Sequence, residues 1–235
     1  MRIKFIQNII DCMRGKNKNF SSNHNAINEN DGFIIPVNKN QRSFLSHAAS
    51  MEEWHQRNYL GHSPQFIKEQ VLLHYGIKDA QWIETGTYLG TTTGFLAERY
   101  PCVFTIEPEP KLFKGAEEKF SGLNVEVLNG TSEEILPSLL VDIEGDVNFW
   151  LDGHYSAGIT FQGGSDCPIR SELETISSHL NRFSSVSILI DDVRCFLDPN
   201  RDDSYPPLDE LVDWARSHRF TWGIEHDILI MQRLI

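Results

Sequence analysis

Cysteine is scarce in this chain, and its spacing removes two architectures. Cys12, Cys102, Cys167 and Cys195 stand far apart and form no CxxC pair, so neither a disulfide-built scaffold nor a zinc knuckle follows, and a reduced, cytoplasmic setting is expected. Long apolar runs are missing as well: nothing approaches the ~18 residues of a transmembrane helix. The opening MRIKFIQNIIDCMRGK is broken by Gln7 and Asn8 and has no small-residue cleavage site, so it does not read as a secretory signal. Ile3, Ile6, Ile10 and Met13 can line one face of a short helix that touches a partner or a membrane surface, the commoner alternative being a frayed terminal helix. Basic excess is absent too. With 21 Lys and Arg against 33 Asp and Glu, the net charge is −12, and a polyanion such as nucleic acid is not the expected partner.

What is present suffices for one sizeable α/β domain behind a polar lead-in, since 40% of the 235 residues are hydrophobic. Residues 15–45 are rich in Asn, Ser and Lys and bury too little apolar surface to offset their ordering entropy. The expected division is a flexible segment, 1–47, and a folded domain, 48–235. Ser63-Pro64 reads as a helix start, and Thr131-x-x-Glu134 as a capping box. Short apolar runs at 81–85, 102–107, 124–129, 147–152 and 186–191 alternate with helical patterns, which implies a parallel sheet covered on both faces. The runs 220–225 and 227–234 follow each other almost directly, so the last strand must be antiparallel to its neighbour. The expected fold is a Rossmann-like, doubly wound, mostly parallel seven-stranded sheet with an antiparallel C-terminal strand.

In such sheets ligands bind beyond the carboxyl ends of the strands. The turn after the first strand is Glu84-Thr-Gly86-Thr87-Tyr-Leu-Gly90, whose glycines allow a sharp turn and close ligand approach. Its spacing is GxxxG rather than GxGxxG, which weakens a dinucleotide reading. Glu107 ends the second strand, and Gly130, Thr131 and Ser132 follow the third. Asp152 follows the fourth strand, and Asp191 and Asp192 the fifth. On neighbouring strands ~4.8 Å apart these acids repel, by about 4 kcal/mol for two charges ~4 Å apart at an effective dielectric near 20. A divalent cation, Mg²⁺ ahead of Mn²⁺, would relieve this, and so would raised pKa values or helix N-termini. Alternatively Asp152 is only a cap and Asp192 faces solvent.

WIETGTYLGTTTGFLAERYPCVFTIEPEP, NGTSEEILPSL, FWLDGHYSAG and LIDDVRCF, taken in order, resemble class I S-adenosylmethionine (SAM)-dependent methyltransferases, above all the catechol-type cation-dependent O-methyltransferases. DGHYS and IDDVRCF look closer still to bacterial methyltransferase-like proteins related to macrolide-sugar O-methyltransferases. The resemblance covers roughly residues 63–235. It implies that Glu84, Gly86, Thr87, Gly90, Glu107, Gly130, Thr131, Ser132 and Asp152 hold SAM, with Glu107 accepting both ribose hydroxyls. It further implies that Asp152, Asp191 and Asp192 hold the cation. His154, two residues past Asp152, then becomes the general base. The catechol-type family has a lysine just past this aspartate; this chain has none there. The stretch 155–167 would cover the acceptor through Tyr155 and Phe161. Arg194 can pair with Asp192 or an anionic acceptor, a surface salt bridge being favoured; Trp150 and Trp222 are expected in the core, and Glu172 in solvent. The reading is O-methylation of a small hydroxylated, sugar-like acceptor, with room for a homo-oligomer. The rivals are a non-catalytic SAM-binding scaffold and a metal-dependent hydrolase built on the three aspartates.

Overall fold

The computed structural model describes residues 39–153 and 167–234. Its strands are β1 (Gln81–Thr85), β2 (Val103–Glu107), β3 (Val125–Asn129), β4 (Gly145–Leu151), β5 (Phe183–Ile190), β6 (Thr221–Glu225) and β7 (Ile228–Arg233). They form one sheet in the order β3-β2-β1-β4-β5-β7-β6. β1 to β5 pair in parallel, and β7 runs antiparallel to both β5 and β6. The expected doubly wound sheet is therefore present.

The helices are α1 (Lys39–Gln56), α2 (Gln65–Tyr75), α3 (Thr91–Ala97), α4 (Pro110–Lys119), α5 (Ser132–Leu139), α6 (Ile169–His179), α7 (Val193–Leu197) and α8 (Leu208–Ser217). Successive strand residues face opposite sides, so Ile83, Phe104, Phe149 and Ile188 pack with Leu136 of α5, Leu173 of α6 and Leu211 of α8. Trp82, Val103, Trp150 and Leu189 pack on the other face with Leu72 of α2 and Leu96 of α3. Covered on both sides, β1 and β2 are buried at every position, polar residues included. α5 opens with the capping box, in which the Glu134 carboxylate accepts the Thr131 N–H at 3.3 Å. α2 departs from its expected start. Pro64 is the N-cap, and the buried Ser63 hydroxyl caps nothing.

His226 and Asp227, both at positive φ (50° and 70°), make the two-residue turn between β6 and β7. Trp222 is 42% exposed, against the core position expected of it, because β6 is an edge strand. Cys167 and Cys195 are free thiols, whereas Cys102 is disulfide-bonded, which departs from the reduced setting expected. Among the described residues no helix is long and apolar enough to cross a membrane.

Candidate functional site

From β1 the chain moves outward to β2 and β3, then returns to β4 and β5 on the other side of β1. The reversal opens a crevice at the carboxyl ends of β1 and β4. Register places the rim residues level with one another. Glu107 pairs with Asn129; Thr85 pairs with Ile106 and Leu151; Leu151 pairs with Ile190. One residue further on, ladder-type bonds persist: Gly86 N–H to the Ile106 carbonyl at 3.0 Å, Asp152 N–H to Thr85 at 3.1 Å, and Asp191 N–H to Leu151 at 3.1 Å. Asn129, Glu107, Gly86, Asp152 and Asp191 thus form a single row across five strands.

At the centre of the row the backbone comes very close to itself. Gly86 has φ +86°, and a Cβ there would lie 2.3 Å from the Asp152 carbonyl oxygen. Only glycine tolerates both conditions. The turn is held from its flanks as well. The Thr87 and Thr105 hydroxyls bond at 2.6 Å, and Lys119 Nζ donates to the Leu89 and Gly90 carbonyls at 2.8 and 3.0 Å.

Glu107, 3% exposed, accepts the Tyr88 N–H on Oε2 at 2.8 Å and the Glu109 N–H on Oε1 at 2.9 Å. Burial pushes its carboxyl above the ordinary range, and these two N–H groups oppose the rise. A carboxylate offers about four acceptor positions, so each oxygen keeps one, which is what a vicinal diol requires. Beyond β3, Gly130 sits at φ +146° and Ser132 is buried at the start of α5.

Glu84 is not brought to the rim with these groups. It is 1% exposed, and its Oε2 accepts the Thr93 and Thr105 hydroxyls at 2.5 and 2.6 Å, bracing β1 to α3 and β2 beneath the turn. Burial pushes its carboxyl from 4.5 up to about 7, against those two hydrogen bonds. The folded chain therefore keeps a proton that the unfolded chain has already lost. The stability this contributes is complete below about pH 4.5, falls as pH rises toward about 7 and is constant above it. Glu84→Gln is expected to remove a slope of up to about 1.4 kcal/mol per pH unit, read from urea unfolding between about pH 5 and 7. Parallel stability curves for the two proteins would contradict this.

The acidic cluster is assembled as expected, but the cation is the protein's own. Lys68 of α2 forms an ion pair with Asp191 and also lies in the fields of Asp152 and Asp192. Burial disfavours its charge, yet the three carboxylates together hold its pKa above the ordinary value. Asp192 pairs with Arg194 at 2.7 Å, and Arg194 also pairs with Asp227. His62 Nδ1 lies 3.5 Å from Asp192. This arrangement lends no support to the Mg²⁺ or Mn²⁺ expected at Asp152, Asp191 and Asp192. Two side-chain cations meet the repulsion, and among the described residues no group of three His, Cys, Asp or Glu is arranged for a metal. Of the alternatives for Arg194, the pair with Asp192 is the one present, in place of a surface salt bridge. Val193 and Arg194 N–H groups bond to Asp227, tying the β6–β7 turn to the end of β5.

Glu172 is also placed differently from expectation. It is 1% exposed on the first turns of α6, and a Cβ on Gly153 would come within 3.3 Å of its Oε1 and 3.1 Å of Thr85 Oγ1. That Thr85 hydroxyl is buried with no hydrogen-bond partner among the described residues. His154, Tyr155 and Phe161 lie outside the described residues.

No family model and no curated protein matches the sequence. Several solved structures are similar at low identity, with TM-scores below 0.5. A 23S rRNA methyltransferase, ErmE, is 17% identical, with 72% of this chain and 67% of that chain covered and a TM-score of 0.44. A Streptococcus mutans protein, SMU.1697c, solved in complex with SAH, is 16% identical over 72% and 98% at 0.42. Aeropyrum pernix fibrillarin with natively bound S-adenosyl-L-methionine is 11% identical over 70% and 73% at 0.44. Because an rRNA methyltransferase stands among these structures, the expectation of a small-molecule acceptor to the exclusion of nucleic acid is withdrawn. The physical reason is that net charge averages the whole surface and does not describe any one face.

Proposed function

We propose that this chain is a SAM-dependent methyltransferase. The observation that carries the reading is the row Asn129–Glu107–Gly86–Asp152–Asp191 at the switch point, with a diol-ready carboxylate beside a turn that only glycine permits. Glu107 would hold the ribose, the 86–90 turn the methionine part, and Gly130, Thr131 and Ser132 the adenine side. The orphaned Thr85 hydroxyl gives a ligand a buried hydrogen-bonding group between β1 and β4. Around the ends of β4 and β5, Asp152, Asp191, Asp192 and Asp227 outnumber the permanent cations Lys68 and Arg194, so the rim stays negative, which suits a sulfonium. When bound, SAM supplies a methyl group open to in-line displacement. The chain's task is to align the acceptor and take up its proton, and we assign the proton to His154 because it follows Asp152 by two residues.

The hydrolase reading is set aside because Asp191 and Asp192 are paired with side-chain cations, Lys68 and Arg194. Calorimetry with SAH, SAM and NAD⁺ tests the proposal. SAH is expected to bind and NAD⁺ not, and Glu107→Ala is expected to weaken SAH by about 10- to 100-fold, the loss of two charge-assisted hydrogen bonds. NAD⁺ binding without SAH binding would overturn it. His154→Ala distinguishes an enzyme from a scaffold: SAH affinity is retained in both, and methyl transfer is lost only in an enzyme.

A further inference from the structure

Carboxylates at the ends of two adjacent strands are an arrangement that commonly collects an oxygen-ligating divalent ion. Here each of those carboxylates already faces a fixed positive charge. Asp191 is bonded to Lys68, Asp192 to Arg194 at 2.7 Å, and Asp152 adds its field to those acting on Lys68. The Lys68 ammonium reaches the rim from α2, and only 14% of its side chain is exposed, so it is not a mobile surface charge swinging past. Arg194 is fixed as tightly, by Asp192 and Asp227 together.

The geometry points to Lys68 as the resident cation of this rim: it occupies the electrostatic position that a divalent ion would otherwise take, and the rim binds no metal. An ammonium supplies up to three hydrogen-bond donors to carboxylates in varied directions. Mg²⁺ would demand near-octahedral oxygens at ~2.0–2.1 Å and partial dehydration. Adding a divalent ion beside the fixed ammonium would reintroduce like-charge repulsion in a poorly screened place. This inference concerns metal occupancy alone and does not rest on the methyltransferase reading.

The test is a Mn²⁺ titration followed by electron paramagnetic resonance, on wild type, Lys68→Met and Lys68→Met with Asp191→Asn. Wild type is expected to leave Mn²⁺ free in solution. Lys68→Met is expected to gain one ion per chain, bound at least about tenfold tighter than any wild-type binding, because the repulsion is gone and Asp191 is released. Asp191→Asn in that background is expected to remove the gained site. A single wild-type Mn²⁺ site that Asp191→Asn abolishes would overturn the inference, and so would a Lys68→Met protein that gains none. Lys68→Gln, which keeps a donor toward Asp191, carries the same comparison if the methionine variant does not fold. SAH calorimetry on wild type with and without a chelator keeps the two readings apart. An SAH affinity that falls with the chelator counts against Lys68 as the sole cation, whereas absent SAH binding counts only against the methyltransferase.

Discussion

Gly86→Ala is expected to abolish detectable SAH binding and to lower the melting temperature by about 5–15 °C. Two costs combine. An L-residue in the left-handed region costs about 1–2 kcal/mol, and Gly86 sits there at φ +86°. The new methyl group would also lie 2.3 Å from the Asp152 carbonyl oxygen and 2.9 Å from its carbon. Those are backbone atoms fixed in the sheet by the Asp152 N–H bond to Thr85, so no side chain can rotate aside. Overpacking of this kind typically costs about 1–3 kcal/mol. Together they amount to roughly 2–5 kcal/mol, at about 2–4 °C per kcal/mol for a chain of this size. The β1 and β4 ends must separate by about an ångström, and displacements of that order cost ~100-fold where alignment matters. Gly115→Ala is the control. It lies inside α4 with nothing within 4 Å of its Cβ, and alanine there should leave binding unchanged and stabilise by about 0.5–1 kcal/mol. If Gly86→Ala melts and binds SAH like wild type, the turn is not part of the site.

The same turn shows why part of the site was legible in sequence. Buried parallel strands read as short apolar runs, and an α/β sheet delivers whatever follows each run to one edge, so Gly86, Glu107, Gly130, Asp152 and Asp191 could be placed without coordinates. Glu84 escaped this logic. It is the penultimate residue of β1, and the alternation of side chains turns it under the sheet edge, where Thr93 and Thr105 wait for it. Glu172 is expected in solvent because a charged residue beside a core-facing leucine ordinarily leaves the apolar stripe. α6 instead buries both against the carboxyl end of the sheet. Trp222 looked like core by composition, but only the strand order reveals that β6 is an edge. Lys68 carried no signal at all. It sits in an amphipathic helix where a lysine ordinarily means solvent, and its partner lies 123 positions away.

Removing that lysine's charge should destabilise the fold more than any other single charge removal at the rim. Asp191 is almost fully buried, and Lys68→Met keeps the apolar stem while deleting the ammonium that faces it. Breaking a buried pair from one side typically costs about 3–5 kcal/mol, because the surviving charge is left without compensation. Burial and the neighbouring Asp192 already push the Asp191 carboxyl up, so without Lys68 it can take up a proton, and the loss should lie toward the lower end. Asp191→Asn should cost less, since Lys68 is the more exposed partner and keeps two carboxylates nearby. The double variant should therefore be more stable than the sum of the single losses by about 1–3 kcal/mol, the coupling expected of groups in direct contact. Urea unfolding of the four proteins at neutral pH reads it directly. Raising the salt should change the coupling little, because a buried pair is poorly screened. A coupling near zero, or one that salt erases, would mean that Lys68 is a surface ornament. Asp191, Asp152 and Asp192 would then need another source of positive charge, and the case against a metal at this rim would collapse with it.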